Sequence, residues 1–356
     1  MIDLQWILLA FMGSLILTPL VKKYSVLAKA YAKENERTVH HGLISRIGGV
    51  AIYLSFIVVA SLFIEVDSTI NGVILGGSIM FFAGLVDDLI DLKPRVKLFL
   101  ELIAAIVAIY FGVRVDIIRL PFGITIDIGI FSVLFTLIWI IGITNAVNLI
   151  DGLDGLAGGL CVIVLIIIGS MAIIERRFDI MSLAFILASS VLGFLVYNCH
   201  PASIFMGDCG SLFLGFMVST ISIMGFKSST IMTLALPVLI LMVPIIDTLS
   251  AILRRTLKGQ RFMQADKSHL HHLLMRQFGH RNTVIILCGV TSLFGVSAFV
   301  YMINRTIGFF VMLAILFGVE LFIEKSSMIS NHYHPILSVG HWIQAQGIRL
   351  KNKRKK

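Results

Sequence analysis

The stretch Asn145-Ala-Val-Asn148-Leu-Ile-Asp151-Gly-Leu-Asp154-Gly155-Leu-Ala-Gly158-Gly159 decides how this chain is read. It lies between two apolar runs long enough to cross a bilayer, residues 129–147 and 160–174. Asn148, Asp151 and Asp154 recur every third residue, which on a continuing helix places them roughly along one face. Gly152, Gly155, Gly158 and Gly159 interleave or follow them and let a backbone or ligand approach closely. Carboxylates in a membrane segment are costly unless they bind something, so the stretch is a candidate site.

The composition around it is that of a polytopic membrane protein. Of 356 residues, 58% are hydrophobic and only 14% charged, too little charge for a soluble domain of this length. The net charge of +9 carries no nucleic-acid signal, because the basic residues sit between apolar runs and in the tail. The four cysteines, Cys161, Cys199, Cys209 and Cys288, have no paired spacing and indicate no disulfide framework. The apolar N-terminal run has no basic region before it and reads as a first spanning helix, not a signal peptide.

The expected fold is all-α, with about eleven transmembrane helices in the hydrophobic runs 4–21, 47–64, 70–86, 98–113, 129–147, 160–174, 180–197, 211–226, 231–253, 284–303 and 307–323. Residues 1–325 form a single multi-span domain and 326–356 a basic tail. One set of loops holds Lys22, Lys23, Arg46, Lys93, Arg95, Lys97, Arg254, Arg255, Lys258, Arg261 and Lys267, and the tail adds to it. The alternate set holds only Arg114, Arg119, Arg176, Arg177, Lys227 and Arg305. The first set is therefore expected to be cytoplasmic, with the N-terminus outside and the C-terminus inside. Alternation around Pro121-Phe-Gly123 predicts a small hairpin on the outer side.

Three more constellations fall in the cytoplasmic set. Asp87, Asp88 and Asp91 end the third run; Asp87 and Asp91 share a helical face, with Asp88 about a quarter-turn away. Acids at a helix C-terminus oppose its macrodipole, which favours a ligand over an ordinary solvated end. Asp208, in Phe205-Met-Gly207-Asp208-Cys209-Gly210-Ser211, reads equally well as an N-cap or as a site carboxylate. Asp247 lies near the inner end of the ninth run. The longest inner loop contains Asp266-Lys267-Ser-His269-Leu-His271-His272, without the i,i+4 histidine spacing of a zinc helix. Its histidines and Lys267 suit phosphate or sugar contacts, although a basic loop that only sets topology would explain the arginines. Two carboxylates about 4 Å apart repel by roughly 4 kcal/mol at an effective dielectric near 20, so a converging set needs a cation. All-oxygen donors point to Mg²⁺, or Mn²⁺. Such a cleft suits a phosphate-bearing soluble substrate meeting a lipid acceptor, with phosphoryl transfer as the reaction class.

Val86-Asp87-Asp88, the 145–157 stretch, Phe205-Met-Gly-Asp-Cys-Gly-Ser-Leu and Asp266-Lys-Ser-His-Leu-His-His together resemble the polyprenyl-phosphate N-acetylhexosamine-1-phosphate transferases. The order holds from Arg37-Thr-Val-His40 to His272, and the histidine pattern resembles the branch using UDP-N-acetylglucosamine. That resemblance implies transfer of N-acetylglucosamine 1-phosphate from UDP-N-acetylglucosamine to undecaprenyl phosphate, releasing UMP. This is the initiating step of a surface polymer such as teichoic acid, in the bacterial plasma membrane. It implies Asp208 as Mg²⁺ ligand with Asn148, Asp87 as base with Asp88 beside it, and Asp151 and Asp154 at the nucleotide. Lys97, His269, His271 and His272 would meet phosphate or sugar. Its partners are the two substrates and membrane lipid, with no nucleic acid, and it leaves room for a homodimer. The chain departs from the family pattern in lacking the proline usual before Arg37 and in placing Cys209 after the metal aspartate, which raises a question of thiol sensitivity. The alternatives are the sister transferase using UDP-N-acetylmuramoyl-pentapeptide, disfavoured by the histidine pattern, and an ion-coupled transporter. The latter is disfavoured because its acids would sit near the midplane.

Overall fold

The computed structural model describes residues 4–28, 31, 44–65, 67–119, 125–226 and 270–325. Its helices are α1 (Leu4–Ala28), α2 (Gly49–Phe63), α3 (Ser68–Ile90), α4 (Pro94–Tyr110), α5 (Ser132–Ile150), α6 (Leu156–Ile174), α7 (Phe178–Asn198), α8 (Gly207–Phe226), α9 (Leu270–Phe278), α10 (His280–Ile303) and α11 (Arg305–Lys325). Ten of the eleven expected spans coincide with helices, and the ninth run and Asp247 lie outside the described residues. Among the described residues, eight helices are long and apolar enough to cross a membrane: α1, α3, α5, α6, α7, α8, α10 and α11. The two remaining helices that match expected spans, α2 and α4, are shorter. At 1.5 Å per residue, the 15 residues of α2 and 17 of α4 reach only about 22 and 25 Å, short of a typical hydrocarbon core of about 30 Å.

The bundle is built around α8, in which every residue from 209 to 225 is buried. It packs most extensively against α3 and α5, while α7 packs against α6 and α1. The hydroxyls of Ser219, Thr220 and Ser222 bond back to carbonyls of their own helix, so these polar residues are satisfied without leaving the apolar interior. Tyr53 of α2 stacks on Phe81 of α3 at 3.9 Å and meets Phe213 of α8 edge-on, joining three helices at one aromatic contact. Large apolar side chains such as Leu54, Ile138, Ile174 and Val196 face outward, which a bilayer accommodates and water does not.

The expected hairpin is present. Strands β1 (Ile117–Arg119) and β2 (Thr125–Asp127) pair antiparallel with Ile118 opposite Ile126. They follow the C-terminus of α4, at the opposite end of the bundle from its N-terminal turn, where Lys97 lies.

Two expectations of helical phase fail. α5 ends at Ile150 and α6 begins at Leu156, so Asn148, Asp151 and Asp154 do not share a helical face. Residues 151–155 form a turn closed by Gly155, whose φ of +74° is a conformation glycine adopts without strain. Likewise α3 stops at Ile90, and Asp91 is a left-handed cap with φ 52°, its N–H bonded to the Asp87 carbonyl. It does not continue the face of Asp87.

Candidate active site

The C-termini of α3 and α5 and the N-termini of α4 and α8 meet at one end of the bundle. Lys97, in the first turn of α4, is the hub. Its Nζ lies 2.9 Å from Asp208 Oδ2, 3.1 Å from Asp87 Oδ2 and 3.5 Å from Asn148 Oδ1. Asn148 donates to Asp208 Oδ1 at 2.8 Å and to Ser211 Oγ at 2.7 Å. Asp87 also accepts the Leu92 N–H at 2.6 Å, which ties its carboxylate to the turn after α3. Three side chains from three helices therefore converge on the ammonium that a fourth helix supplies. None is sealed off: the side chains of Lys97, Asp87 and Asp208 are 18%, 11% and 26% exposed.

Asp88 has a different task. Its carboxylate is fully buried and accepts the N–H groups of Asp208 at 3.0 Å and Cys209 at 2.9 Å. These are orphan donors at the start of α8, so a residue of α3 caps another helix. The reading of Asp208 as its own N-cap fails, because Asp88 supplies the cap and leaves the Asp208 carboxylate to face Lys97 and Asn148. The arrangement also explains how an acid tolerates the C-terminus of α3: it sits against the positive end of the α8 dipole. Arg46 adds looser pairs, 3.8 Å to Asp88 and 3.9 Å to Asp91.

Close backbone approach makes this junction. A Cβ at Gly84 would collide with the Asp208 carbonyl, and one at Gly207 with the Arg46 carbonyl, where φ is also +74°. The segment before α2 is fastened to the same junction by Gly48 N–H to the Phe205 carbonyl and Gly49 N–H to the Met206 carbonyl.

Glu101 lies one turn after Lys97 and accepts from Asn145 Nδ2 at 2.5 Å. Asn145 lies about one turn before Asn148, so this pair, with Glu101 buried, holds the two helices that present Lys97 and Asn148 in register.

Asp151 caps the C-terminus of α5. Burial, followed by the charges of Asp208, Asp88 and Asp154, pushes its carboxyl up to about 8. Asp154 turns away from the Lys97 hub. His200 Nδ1 meets its Oδ2 at 2.8 Å, the Ala202 N–H donates to the same oxygen at 3.1 Å, and His280 Nε2 lies 3.3 Å from its main-chain carbonyl. Neither histidine was singled out from sequence. The signals were there: a histidine directly before Pro201, and one directly after Gly279 at the start of a span.

His269 lies outside the described residues. His271 and His272 fall in the first turn of α9, but their side chains lie outside the description. Arg37 and His40 also lie outside it. Cys209 is fully buried against the Met206 carbonyl, which argues against an exposed reactive thiol there.

Residues 70–226 match the glycosyl transferase family 4, a span that holds Asp87, Asp88, Lys97, Asn148, Asp151, Asp154 and Asp208. The chain is similar to a probable undecaprenyl-phosphate N-acetylglucosaminyl 1-phosphate transferase of Bacillus subtilis (strain 168), 38% identical over 340 residues, covering 92% of this chain and 94% of the relative. It is 31% identical over 285 residues to an undecaprenyl-phosphate alpha-N-acetylglucosaminyl 1-phosphate transferase of Thermotoga maritima, covering 79% and 85%. A phospho-N-acetylmuramoyl-pentapeptide-transferase of Listeria welshimeri is also 31% identical, over 67% of this chain and 77% of the relative. With clustered acids, a lysine hub and similarity along nearly its whole length, the chain belongs to glycosyl transferase family 4.

Proposed function

We propose that the protein transfers N-acetylglucosamine 1-phosphate from UDP-N-acetylglucosamine to undecaprenyl phosphate. An oxygen of the lipid phosphate attacks the β-phosphorus of the donor, the bond to the bridging oxygen breaks, and UMP leaves. The product is undecaprenyl-diphospho-N-acetylglucosamine, the lipid-linked start of a surface polymer. The observation that carries this reading is the Lys97 hub, a partly open group of Asp87, Asp208 and Asn148 around one cation at one end of the bundle. The relatives in Bacillus subtilis and Thermotoga maritima, named for this reaction, choose among phosphoryl transfers.

The residues fit a hard divalent cation. The Lys97 ammonium stands where a positive charge is demanded, and the surrounding donors are all oxygens, which suit Mg²⁺ or Mn²⁺. Asp208 and the Asn148 carbonyl oxygen would hold it. When bound, such an ion neutralises charge developing on the diphosphate and the departing UMP. Lys97 supplies a second positive charge beside it and pairs the two carboxylates. Asp87, fixed by Leu92, is placed to take the residual proton of the lipid phosphate; with a second pKa of about 6, few acceptors carry that proton at pH 7. Asp88 positions Asp208 through the α8 backbone, and the nucleotide falls to the 151–155 turn. We place this end of the bundle at the cytoplasmic face, from the basic residues of its loops.

The test is transfer of label from UDP-N-acetylglucosamine into lipid by the purified protein with undecaprenyl phosphate and Mg²⁺, with Asp208→Asn alongside. Label in lipid, lost with EDTA and in the variant, supports the reaction and the cation site together. Transfer only from UDP-N-acetylmuramoyl-pentapeptide moves the protein to the sister branch, and transfer from neither donor sinks the reading.

A further inference from the structure

Asp154, His200 and His280 come from three separate parts of the chain: the turn between α5 and α6, the segment after α7, and the first residue of α10. Their ligating atoms lie within 4.8 Å of one another, and the two imidazoles stack at 4.2 Å with an interplanar angle of 21°. We propose that His200 and His280 are positioning residues that lock the 151–155 turn to the α9–α10 unit, shaping the nucleotide-sugar side of the site. This rests on the function proposed above.

The hydrogen bonds fix the roles. A main-chain carbonyl only accepts, so His280 Nε2 carries a proton and donates to Asp154. The Asp154 carboxylate already accepts from Ala202 through Oδ2, so His200 Nδ1 donates to it as well. Asn198 ties the same turn from behind, accepting the Gly155 N–H and donating to the Ile204 carbonyl. Beneath these bonds an apolar seam joins the same partners: Leu153 and Leu156 pack with Leu274 of α9 and Leu287 of α10. The seam holds the turn against α9, whose first turn contains His271 and His272, and the polar latch ties it to the start of α10. Losing the latch should therefore loosen the donor's side of the site and spare the Lys97 hub.

A transition metal on the same three residues is the competing reading, and the stacking argues against it. A metal must lie in the plane of each coordinating ring, and two nearly parallel stacked rings direct their lone pairs side by side, not to one point. Binding one would require both rings to turn and their present bonds to break.

The experiment uses the full-length protein in detergent. His200→Ala and His280→Ala should each raise the KM for UDP-N-acetylglucosamine about tenfold, the scale of one lost charge-assisted or positioning hydrogen bond, with the KM for undecaprenyl phosphate unchanged. The double variant should cost little more than either single one, because the pair acts as a unit. His280→Gln and His200→Asn, which keep an N–H near the lost position, should recover most of the affinity. Calorimetric binding of UDP-N-acetylglucosamine to the same proteins reads the latch without turnover. A wild type that binds the donor but transfers nothing would thus refute the proposed reaction while leaving the latch open to its own test. The latch is overturned if donor KM and affinity do not move, or if both substrates weaken equally with a lower melting temperature and no rescue. It is also overturned if the wild type carries a stoichiometric metal that the alanine variants lose, or binds no UDP-N-acetylglucosamine.

Discussion

One helix-turn-helix feeds two polar centres that are built on different principles. Asn148, at the end of α5, joins the Lys97 hub, where opposite charges are balanced across partly open side chains. Asp154, six residues on, joins His200 and His280, where a buried carboxylate is satisfied by hydrogen bonds from a main-chain amide and an imidazole. The difference separates a place for exchanging ligands from a place for holding backbone. In the hub a substrate phosphate or a cation can replace a protein partner with charge for charge. In the histidine centre the partners hold the Asp154 main chain as well as its carboxylate, so exchanging them would loosen the turn.

The largest expected effect comes from removing the hub's cation. Lys97→Met leaves Asp87 and Asp208 facing each other without compensation, and transfer activity should fall by about 10³-fold or more, with Lys97→Arg a poor rescue because its planar fork does not match a point charge. Next, Asp208→Asn keeps the hydrogen-bonding shape and removes the charge, and should lower kcat by roughly 10²–10³-fold while blunting the response to added Mg²⁺. If either variant retained near-normal turnover, the hub would be structural and the contrast with the histidine centre would collapse.

Asp88 sharpens the comparison from the stability side. Asp88→Ala leaves the Asp208 and Cys209 amides buried without a partner, a loss of roughly 2–4 kcal/mol that thermal unfolding in detergent should read. Asp88→Asn, which can still accept, should unfold at a higher temperature than the alanine variant. Equal melting temperatures for the two would mean that the cap is not what holds the start of α8.

The remaining effect concerns pH. Asp151 is pushed up to about 8, above the ordinary 3.8, so the folded chain keeps a proton that the unfolded chain releases. Between about pH 4 and 8 the folded state therefore binds more protons, and stability falls as pH rises through that window. The melting temperature in Mg²⁺-free buffer should decline from pH 5 to 8, and the decline should be shallower in Asp151→Asn. An identical slope in both proteins would assign the pH dependence to other groups.

Much of this was legible in the chain. Apolar runs of bilayer length located ten helices, because a membrane segment must satisfy its own backbone and so announces itself by composition. Asp87, Asp88 and Asp208, at the ends of those runs, do come together at one end of the bundle, since charge there needs a partner. What failed were the inferences of phase. Treating 148–154 as continuous helix put Asp154 with Asn148, whereas the turn at 151–155 sends the two apart. Treating Asp87, Asp88 and Asp91 as one cluster hid three separate fates: an ion pair with the hub lysine, a cap on another helix, and a left-handed stop.

The sequence by itself therefore determined ten helices, the hairpin and the presence of acids at the ends of the apolar runs, because those follow from hydrophobic length and residue type. Only the tertiary structure decided which side chain met which. The pairing of Lys97 with Asp208 spans 111 positions, and that of Asp88 with the α8 amides 120 and 121. Nothing local in the chain encodes such contacts. They arise from packing α3 and α5 on α8, which is buried from 209 to 225, with α4 held against α3 and α5, and from Gly84 and Gly207 allowing the backbones close enough for the carboxylates to reach.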